Sequence, residues 1–455
     1  MAAEKVIQFG EGGFLRGFVD YFLHKLNEKG LWEGKVVVVQ PIEKGMCELL
    51  MRQNCEYNLY LRGIENGGVV NERTHIDVIS RCINPYTEYD AYMQLAENPD
   101  FRFIISNTTE AGIEYTGTEK LSDTPARSFP AKLTQLLYKR YQSGLDGFVL
   151  LPCELIDRNA EILKDCVIKY ARLWNLEESF ITWIHEKNDF CNTLVDRIVT
   201  GFPKDEAESL WEEIGYRDQL LDTAEIFHLW VIGGHHEDEL PLQKAGFHVV
   251  WTDDVAPYKR RKVRILNGAH TSMVLGAHLY GLETVGECLK DGTVSAYLKK
   301  CIFDEIIPTL GATEDNIAFG EAVLERFANP FIRHLLLSIA LNSVSKYKAR
   351  VLPTIVEYHE KYGAYPPALT FSLASLIAFY RTDAANDAEE IMRFMKDASL
   401  EDILKREDFW GQDLMGLYPA VKEYYNMIET KGMKQAYESV LAESEAAGVK
   451  NHTDQ

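Results

Sequence analysis

Several features that would mark other classes of protein are missing from this sequence of 455 residues. No apolar run approaches the roughly 20 residues needed to cross a bilayer, so we expect no membrane-spanning helix. Basic side chains do not dominate: 48 Lys and Arg stand against 69 Asp and Glu, a formal charge of −21. This balance argues against a nucleic-acid or anionic-membrane partner. The first residues lack a basic and then apolar stretch, so no secretory signal is expected.

The eight cysteines lack the paired C-x-x-C spacing of zinc-binding and redox motifs. They are scattered at positions 47, 55, 82, 153, 166, 191, 288 and 301. We therefore expect reduced thiols in a reducing cytoplasm. No metal site is expected either. The run from Gly233 to Glu239 is rich in His and acidic side chains, but it is predicted to be a turn, where adjacent His residues are mostly exposed.

The length and composition are those of a globular protein with more than one core. Hydrophobic residues make up 46% of the chain, and 455 residues exceed what one ordinary core holds. No internal repeat or low-complexity segment is present. Strand-like patterns fill the first part, and helical periods dominate after it. We predict a first domain over residues 1–255 and a mainly helical domain over residues 256–455.

A glycine-rich turn near the start predicts a dinucleotide site. A buried strand over residues 6–9 leads directly into it, and apolar residues at helical spacing follow from Gly13 onward. Strand, glycine turn and helix N-terminus together form a seat for a pyrophosphate. The third glycine of the usual fingerprint is replaced by Leu15, and Arg16 is expected to reach a phosphate. The predicted cofactor-binding residues of this turn are Phe9, Gly10, Gly12, Gly13, Phe14, Leu15 and Arg16.

Further strands complete the prediction of a Rossmann-type, doubly wound, mostly parallel sheet. The run of valines over residues 35–39 ends at Gln40, where an acidic residue would usually bind the adenosine ribose. No arginine follows at once to hold a 2′-phosphate, so NAD is favoured over NADP. Strands over 101–105 and 147–151 end in polar tips, which place Asn107 and Thr108 at the cofactor crevice or in ordinary loop caps. Strands over 227–232 and 247–251 are expected to extend the same sheet.

The second half of the sequence is predicted to form helices separated by prolines. Helical periods occur near residues 321–327, 331–341, 369–380 and 420–427. Prolines at 330, 353, 366 and 367 stand where helices would begin or turns would lie. The predicted fold class is therefore α/β, with a Rossmann-type sheet domain followed by a mainly α-helical domain.

The stretch from Lys262 to His270 carries the chemistry of an alcohol dehydrogenase without a metal. It supplies an amine, an amide at Asn267 and an imidazole, which fall near roughly 0°, 140° and 80° around an α-helix. A secondary alcohol that loses a proton needs a base, a donor for the alkoxide and a group to orient both. The alternative is a solvated helix face. Four consecutive cations, residues 259–262, favour an anionic ligand nearby.

Four short patterns, spread over most of the chain, together resemble one known family. They are Lys262, Asn267 and His270; Gly10, Gly12, Phe14 and Arg16; Asn192 to Ile198; and Arg326 to Pro330. These residues resemble the signatures of the polyol-specific long-chain, or mannitol, dehydrogenase family. The resemblance implies Lys262 as general acid/base, Asn192 and Asn267 as groups that polarise the substrate oxygen, and His270 as an orienting group. It also implies a reaction without a metal.

Within that family, the chain is most similar to the branch of tagaturonate reductases, which use NAD and interconvert a keto-hexuronate and a hexonate. Residues 9–12, 39–42, 106–113 and 267–271 carry this likeness, Gln40 among them. One departure is Lys259, where mannitol-type members tend to carry a Glu. A hexuronate needs a cation for its carboxylate. Arg333, Lys346, Lys348 and Arg350 are candidates, with exposed helix faces as the alternative for each.

The resemblance leaves several functions open. A sibling activity, fructuronate reductase or mannitol 2-dehydrogenase, differs only in the hydroxyl configuration that the pocket recognises. A non-catalytic NAD-binding sensor is the alternative from another class, although such a sensor has no need of a proton-transfer amine. In each case the expected partner is a small molecule, a sugar acid for the first interpretation. The chain is expected to act as a monomer or a small homo-oligomer.

Overall fold

The computed structural model describes residues 2–446 and divides the chain into two compact units. Unit 1 comprises Met1–Gly63 and Gly68–Tyr258, and unit 2 comprises Ile64–Gly67 and Lys259–Gln455. Each unit is described by itself. Among residues 2–446, no helix combines the length and the apolar character that a bilayer crossing requires.

Unit 1 is built on strands. Within the described residues these are β1 (Glu4–Phe9), β2 (Lys35–Val39), β3 (Tyr57–Glu65), β4 (Gly68–Ile76), β5 (Ile79–Ile83), β6 (Phe103–Ser106), β7 (Val149–Pro152), β8 (Asp189–Phe190), β9 (Thr193–Asp196), β10 (Asp222–Glu225), β11 (Leu229–Gly233) and β12 (Val249–Thr252). The tip of the β3–β4 hairpin, which lies in the short segment Ile64–Gly67 assigned to unit 2, is formed by Asn66 and Gly67, both at positive φ, as a two-residue hairpin turn requires.

The main sheet has six strands in the order β5-β2-β1-β6-β7-β8, and every adjacent pair is parallel. Ile7 in β1 stands beside Val37 in β2 and Ile104 in β6. The order reverses at β1, so its carboxyl end lies at the point where such sheets bind ligands. The predicted doubly wound sheet, followed by a helical domain, is confirmed.

Alternate residues of the sheet face two different cores. Val36 and Val38 join one apolar cluster with α-helical residues such as Phe22. Val37 and Val39 join a second cluster on the opposite face. Both faces are covered, so the strands are apolar throughout, and the β-branched valines of β2 suit such a buried strand.

Unit 1 has eight α-helices among the described residues, and several of them cover the two faces of this sheet. They are α1 (Gly13–Gly17), α2 (Val19–Glu28), α3 (Cys47–Arg52), α4 (Tyr89–Gln94), α5 (Phe129–Gln142), α6 (Asn159–Leu173), α7 (Glu178–Lys187) and α8 (Ala207–Ile214), with 3-10 turns at Leu95–Glu97 and Leu242–Ala245. Residues of α2 and α3 belong to the first cluster, and residues of α5, α6 and α7 belong to the second.

The expectation that two late strands extend the main sheet is wrong. β11 and β12 pair with each other in parallel, and β11 pairs antiparallel with β9 to give a separate three-stranded sheet. The antiparallel register places Trp230 opposite Val195. A third small sheet has the order β10-β3-β4. The main sheet ends instead at the short strand β8.

Unit 2 is helical. After α9 (Ala256–Arg261), which contains the boundary between the units, its helices are α10 (Gly268–Tyr280), α11 (Val285–Lys290), α12 (Gly292–Lys299), α13 (Ile307–Leu310), α14 (Glu314–Phe327), α15 (Leu336–Ile339), α16 (Ser343–Arg350), α17 (Leu352–Tyr362), α18 (Pro367–Tyr380), α19 (Glu389–Asp397), α20 (Leu400–Leu404), α21 (Glu407–Trp410), α22 (Tyr418–Lys431) and α23 (Met433–Ala446). Two π-helical segments, Lys262–Asn267 and Lys300–Ile306, and a 3-10 turn at Met415–Leu417 complete the unit.

The centre of unit 2 is α18. Every residue from Ala368 to Tyr380 is buried, as expected for a helix that is apolar on all sides. It packs against α10 and α22. Gly276 in turn allows α10 to lie close to α23, because a Cβ atom there would lie 2.6 Å from Tyr437 Oη.

The helix predicted over residues 331–341 is mostly wrong. Only Leu336–Ile339 is helical there. The backbone N–H of Val285 donates to His334 O, and that of Leu336 donates to Glu283 O. This isolated antiparallel bridge pairs Leu335 with Thr284 and keeps Leu335 extended, so the helix begins only at Leu336 and the apolar period before it does not correspond to a helix.

Candidate active site

The glycine-rich turn follows β1 at the carboxyl edge of the main sheet. Gly10 has φ +122°, and a Cβ atom there would lie 2.7 Å from Asn107 O, so only glycine fits. A Cβ at Gly12 would meet nothing within 4 Å, which leaves its backbone open to a ligand. The helix that begins at Gly13 breaks after Gly17, at Phe18, so α1 is five residues long. The predicted pyrophosphate site at this turn therefore depends on small residues and accessible backbone groups. The dipole of a long helix does not contribute to it.

The side chains around this turn mostly support it from within. Phe9 packs on Phe129, with ring centroids 4.9 Å apart, and Phe14 stacks on Phe18 at 5.1 Å. Leu15 is buried in the first core cluster, at the position of the missing third glycine. Any contact of Phe9 or Leu15 with a cofactor would come from the backbone.

The structure does not support a phosphate contact by Arg16. This side chain is 4% exposed and points into unit 1. Its Nε donates to Glu11 O at 3.2 Å, and Nη1 donates to Leu220 O. The guanidinium also lies 4.0 Å from Asp222 and 5.0 Å from the ring centre of Tyr57. Arg16 thus stabilises the turn instead of offering its charge to a ligand.

Gln40 shapes the loop that follows β2. Its Nε2 donates to Ile42 O at 2.8 Å and Glu43 O at 3.0 Å, while Oε1 accepts from Cys47 N at 3.1 Å. A contact of Gln40 with a ribose stays a prediction, since these bonds already occupy its amide.

Glu11, which the sequence analysis missed, supports the same loop. Its Oε1 accepts from Met46 N at 3.0 Å. Burial raises the pKa of this carboxyl group. Its place between two glycines of the turn was the available signal.

Glu154, which belongs to the polar tip predicted after the strand over 147–151, joins the tips of β6 and β7. Its carboxylate accepts from Ser106 Oγ at 3.0 Å, Thr108 N at 2.9 Å and Thr108 Oγ1 at 3.0 Å. Burial raises its pKa, although these hydrogen bonds act in the opposite direction. Asn107 donates to Cys153 O at 3.4 Å. The predicted positions Asn107 and Thr108 thus stand at one rigid strand tip beside Gly10.

Asn192, also in unit 1, caps the helix α6. Its Oδ1 accepts from Ala160 N at 3.0 Å and Glu161 N at 3.2 Å, and its Nδ2 donates to Glu161 Oε1 at 2.8 Å. These bonds fix the amide firmly. Its expected action on a substrate oxygen stays a prediction.

In unit 2, the predicted catalytic residues lie on a π-turn rather than on a regular α-helix. Lys262 is half-buried and opens the π-segment, Asn267 closes it, and His270 follows in the first turn of α10. A π-turn holds more residues than an α-turn, so the angular positions expected for an α-helix do not apply. Such turns occur frequently at functional sites.

Asn267 and His270 each present a buried polar atom without a partner. Within the part of the chain that the structure describes, neither Asn267 Oδ1 nor His270 Nε2 has a hydrogen-bond partner. The imidazole stacks on Phe327 with centroids 3.9 Å apart and an angle of 7°, and it meets His334 edge-on at 5.3 Å. Buried polar groups are almost always paired, so two unpaired atoms this close in sequence indicate a place for a polar ligand.

The surroundings keep His270 neutral. Burial lowers its pKa well below the ordinary value, and the nearby charges of His334, Arg326 and Arg350 lower it further. A neutral imidazole has one donor and one acceptor nitrogen, so it can orient a sugar hydroxyl in either sense.

Part of the basic run before the π-turn is structural. Arg260 pairs with Glu357 at 2.8 Å, and Arg264 reaches the same carboxylate at 2.9 Å. Arg261 lies over the ring of Phe319, 4.8 Å from its centre. The cluster of cations therefore does not by itself indicate an anionic ligand.

The four candidates for a substrate carboxylate differ in their surroundings. Arg333 is 77% exposed and lies 3.9 Å from Glu283, and Lys348 is exposed on α16. The Lys346 Nζ donates to Ile339 O at 2.8 Å. Arg350 is half-buried, and burial lowers its pKa. Its charge acts on His270, and among the side chains that the structure describes its guanidinium has no hydrogen bond or ion pair. Arg350 is thus the best placed of the four.

Two family models match successive parts of the chain. The model described as "Mannitol dehydrogenase Rossmann domain" matches residues 4–244, and "Mannitol dehydrogenase C-terminal domain" matches residues 254–431.

Several similar proteins carry the same name. A protein of Phocaeicola vulgatus called altronate oxidoreductase is 45% identical over 96% of this chain and 97% of its own length. Proteins of the same name from Yersinia enterocolitica and Bacteroides thetaiotaomicron are 45% and 44% identical; the matches cover 95% and 96% of this chain, and 96% and 97% of those proteins.

Two solved structures share the fold. A substrate-free D-sorbitol dehydrogenase aligns with a TM-score of 0.82 and 22% identity over 96% of this chain and 95% of that one. Mannitol 2-dehydrogenase of Pseudomonas fluorescens, in a ternary complex with NAD and D-mannitol, aligns with a TM-score of 0.69 and 20% identity over 97% and 95%. At these identities the likeness concerns the fold alone.

Proposed function

Because the chain belongs to the mannitol dehydrogenase family, we propose that it is an NAD-dependent oxidoreductase that interconverts D-tagaturonate and D-altronate. Relatives named altronate oxidoreductase, 44–45% identical over nearly the whole chain, support this choice of substrate. The observation that carries it is the pair of unpartnered buried atoms, Asn267 Oδ1 and His270 Nε2, beside the π-turn that Lys262 opens.

The residues of unit 1 fit a dinucleotide. Gly10 leaves no space for a side chain, Gly12 exposes its backbone, and Glu154 holds the adjoining strand tip. These features suit the close approach of a pyrophosphate to a backbone turn at the reversal of strand order. We assign NAD to this turn, with Gly10, Gly12, Gly13, Asn107 and Thr108 as its nearest residues.

In the proposed reduction, NADH supplies the hydride that adds to the carbonyl carbon of the substrate. Lys262, as the ammonium, donates its Nζ proton to the carbonyl oxygen, and in the reverse direction its amine takes that proton back. The Asn267 amide supplies a hydrogen-bond donor to the oxygen as negative charge develops there. Neutral His270 orients a neighbouring hydroxyl through Nε2. Donors from side chains thus do the work for which other dehydrogenases use a metal.

The second amide proposed for this oxygen is Asn192. Its Nδ2 donates to Glu161 in the structure, so the donor would have to leave that carboxylate to act on a substrate. Asn267 Oδ1 has no hydrogen-bond partner among the described residues, so its oxygen does not fix this amide, and Asn267 Nδ2 is assigned the larger part of the donor role.

The carboxylate of the hexuronate is assigned to Arg350. A half-buried guanidinium without an acidic partner in the described chain is suited to a carboxylate, which it can bind through two hydrogen bonds. Arg333 and Lys348 stand on exposed surfaces, and Lys346 already donates to a backbone carbonyl.

A cytoplasmic location is proposed with this activity. All eight cysteines are reduced and buried in the structure. Unpaired thiols in such number suit a reducing compartment.

The test of the catalytic assignment is the substitution Lys262→Met. Loss of a general acid/base lowers kcat about 10²- to 10⁴-fold. We expect a fall of this size for tagaturonate with NADH, with NADH binding retained when measured by fluorescence titration. Lys299→Met, which removes an exposed lysine of α12, is the matched control and should keep wild-type turnover. Unchanged turnover in Lys262→Met would exclude the proposed proton transfer.

The substrate is tested by rates of NADH oxidation with tagaturonate, fructuronate and fructose. We expect tagaturonate to give the highest kcat/KM. Preference for fructuronate or fructose would replace the proposed activity by a sibling one. Binding of NADH without turnover of any of the three would favour a non-catalytic sensor.

A further inference from the structure

Three potential metal ligands converge in unit 1, outside the proposed active site. Asp189 begins β8, Cys191 follows that strand, and His236 lies in the turn after β11. The distance from Asp189 Oδ2 to His236 Nε2 is 2.7 Å, and these two atoms and Cys191 Sγ all lie within 4.8 Å of one another. Among the side chains that the structure describes, no other three His, Cys, Asp or Glu residues approach one another this closely.

A glycine keeps the centre of this cluster open. Gly234 has φ +118°, and a Cβ atom there would lie 3.2 Å from Cys191 Sγ and 3.6 Å from Asp189 Oδ2. Any other residue at this position would be strained and would crowd the sulfur. The backbone therefore leaves room beside the thiol and the carboxylate.

The histidine is oriented by groups behind it. Its Nδ1 lies 3.1 Å from Glu239 Oε1. Glu239 is held in turn by Arg102 through two bonds, Nε to Oε2 at 2.6 Å and Nη2 to Oε1 at 2.9 Å. A carboxylate on the far nitrogen is the usual arrangement behind a metal-bound histidine, because it fixes the ring and its tautomer. Nε2 is left facing Asp189 and Cys191.

We propose that Asp189, Cys191 and His236 bind a zinc ion that links β8, at the edge of the six-stranded sheet, to the turn after β11. This inference goes beyond the proposed dehydrogenase activity and does not depend on it. A mixed set of imidazole, thiolate and carboxylate ligands suits zinc better than it suits calcium or magnesium, which prefer oxygen alone. Water completes the four ligands, because Asp189 is 54% exposed and leaves that side open.

Zinc requires a small movement and the release of a proton. Tetrahedral zinc holds nitrogen and oxygen ligands at about 2.0–2.1 Å, which places them about 3.3 Å apart. The present 2.7 Å must widen accordingly, and the exposed Asp189 side chain can move outward. Burial, followed by the charge of Asp189, raises the pKa of the Cys191 thiol, so this thiol carries a proton in the metal-free protein. It must release that proton to solvent when the zinc–sulfur bond forms.

The test uses the purified full-length protein, stripped with a chelator and then titrated with Zn²⁺ or Co²⁺. We expect a single zinc ion per chain, and with Co²⁺ a thiolate charge-transfer band in the near ultraviolet. Cys191→Ser should lose the band, and His236→Gln should lose the zinc. Glu239→Gln, which changes the group behind the histidine but none of the three proposed ligands, should weaken zinc binding about 10- to 100-fold.

Two controls separate this site from adventitious binding. His235→Gln removes the adjacent histidine, which faces Asp253 at 2.9 Å, and Cys166→Ser removes another buried thiol of unit 1. Both should keep the zinc and the cobalt band. Asp189→Asn, at an exposed position, tests the site if Cys191→Ser does not fold. Equal zinc content in wild type and His236→Gln, or no zinc in the wild type at micromolar supply, would overturn the proposal. Neither result bears on turnover.

Discussion

At the scale of single residues, the isolated charge of Arg350 is the feature with the clearest consequence for specificity. A guanidinium that is half-buried has already lost much of its hydration, and burial lowers its pKa. Among the side chains that the structure describes, no carboxylate forms an ion pair with it, and burial is the cause of the shift. A substrate that brings its own carboxylate would supply the missing partner, whereas a neutral ketose would not.

We therefore expect Arg350→Met to discriminate between substrates. Loss of one partner from a hydrogen-bonded charge pair costs about 2 kcal/mol or more, so KM for tagaturonate should rise about 30-fold. KM for fructose, measured in the same NADH oxidation assay, should change little. Arg333→Met, at an exposed position paired with Glu283, is the matched control. A similar rise for both substrates would show that Arg350 supports the fold rather than the carboxylate.

Residue types were easier to predict than side-chain directions. The sequence identifies Lys262, Asn267 and His270 as one local segment, and the structure forms that segment as a π-turn followed by α10; the convergence of the three side chains stays a prediction. It could not show that Arg16 turns inward, since this depends on Asp222 and Leu220, some two hundred residues away. The hydrogen bonds that occupy the amide of Gln40 depend likewise on the path of the loop after β2.

At the scale of elements, the second π-segment supports the central helix of unit 2. Glu305 lies in Lys300–Ile306 and is 1% exposed. Its two carboxylate oxygens accept from Ala368 N and Leu369 N, each at 2.8 Å, in the first turn of α18. Burial raises its pKa to about 7, although both hydrogen bonds act in the opposite direction. One buried carboxylate thus satisfies two N–H groups that the helix itself leaves unpaired.

The substitution Glu305→Ala should lower the thermal stability of the protein. Two buried N–H groups would lose their acceptor, which costs about 2 kcal/mol or more. Glu305→Gln keeps one acceptor oxygen and should cost less. Glu321→Ala, on an exposed face of α14, is the control and should leave Tm unchanged. Circular dichroism melting curves provide the measurement. A Tm for Glu305→Ala equal to that of the control would contradict this role.

The predictions of strands and helices were right where the sequence signal is local. They were wrong where the structure depends on pairing between strands that are distant in the sequence. The valine run of β2 and the apolar period of α18 identify a buried strand and a core helix from composition alone. The sheet that β11 joins depends on its pairing with β9, more than thirty residues earlier. A π-turn has no established sequence signature, so the segment from Lys262 to Asn267 was expected to be α-helical.

At the scale of the whole molecule, a buried carboxyl group links stability to pH. Asp20 in α2 is fully buried; Oδ2 accepts from Gln8 Nε2 at 3.2 Å, and Oδ1 has no partner in the described chain. Burial raises its pKa from 3.8 to about 7, with Gln8 and Arg16 acting in the opposite direction. The folded state therefore holds a proton that the unfolded chain releases near pH 4. This contribution is complete below about pH 4 and is lost as the pH rises through about 7.

We expect Asp20→Asn to reduce this pH dependence. The amide cannot ionise, so between pH 5.5 and pH 8 the Tm of the wild type should fall relative to that of the variant. Differential scanning calorimetry at both values gives the comparison. Asp100→Asn, at an exposed position, should follow the wild type. If the difference in Tm between the wild type and Asp20→Asn is the same at both pH values, the carboxyl group of Asp20 does not titrate in this range.

The buried thiols give each unit its own reporter of local opening. Cysteines 47, 55, 82, 153, 166 and 191 lie in unit 1, and cysteines 288 and 301 lie in unit 2. A maleimide cannot reach a sulfur enclosed by side chains, so alkylation has to wait until the surrounding structure separates. Mass spectrometry of the peptides gives the labelling rate of each cysteine. This rate therefore reports how often the structure around that cysteine opens locally. The natural sequence provides all eight labelling sites, so no substitution is needed for this measurement.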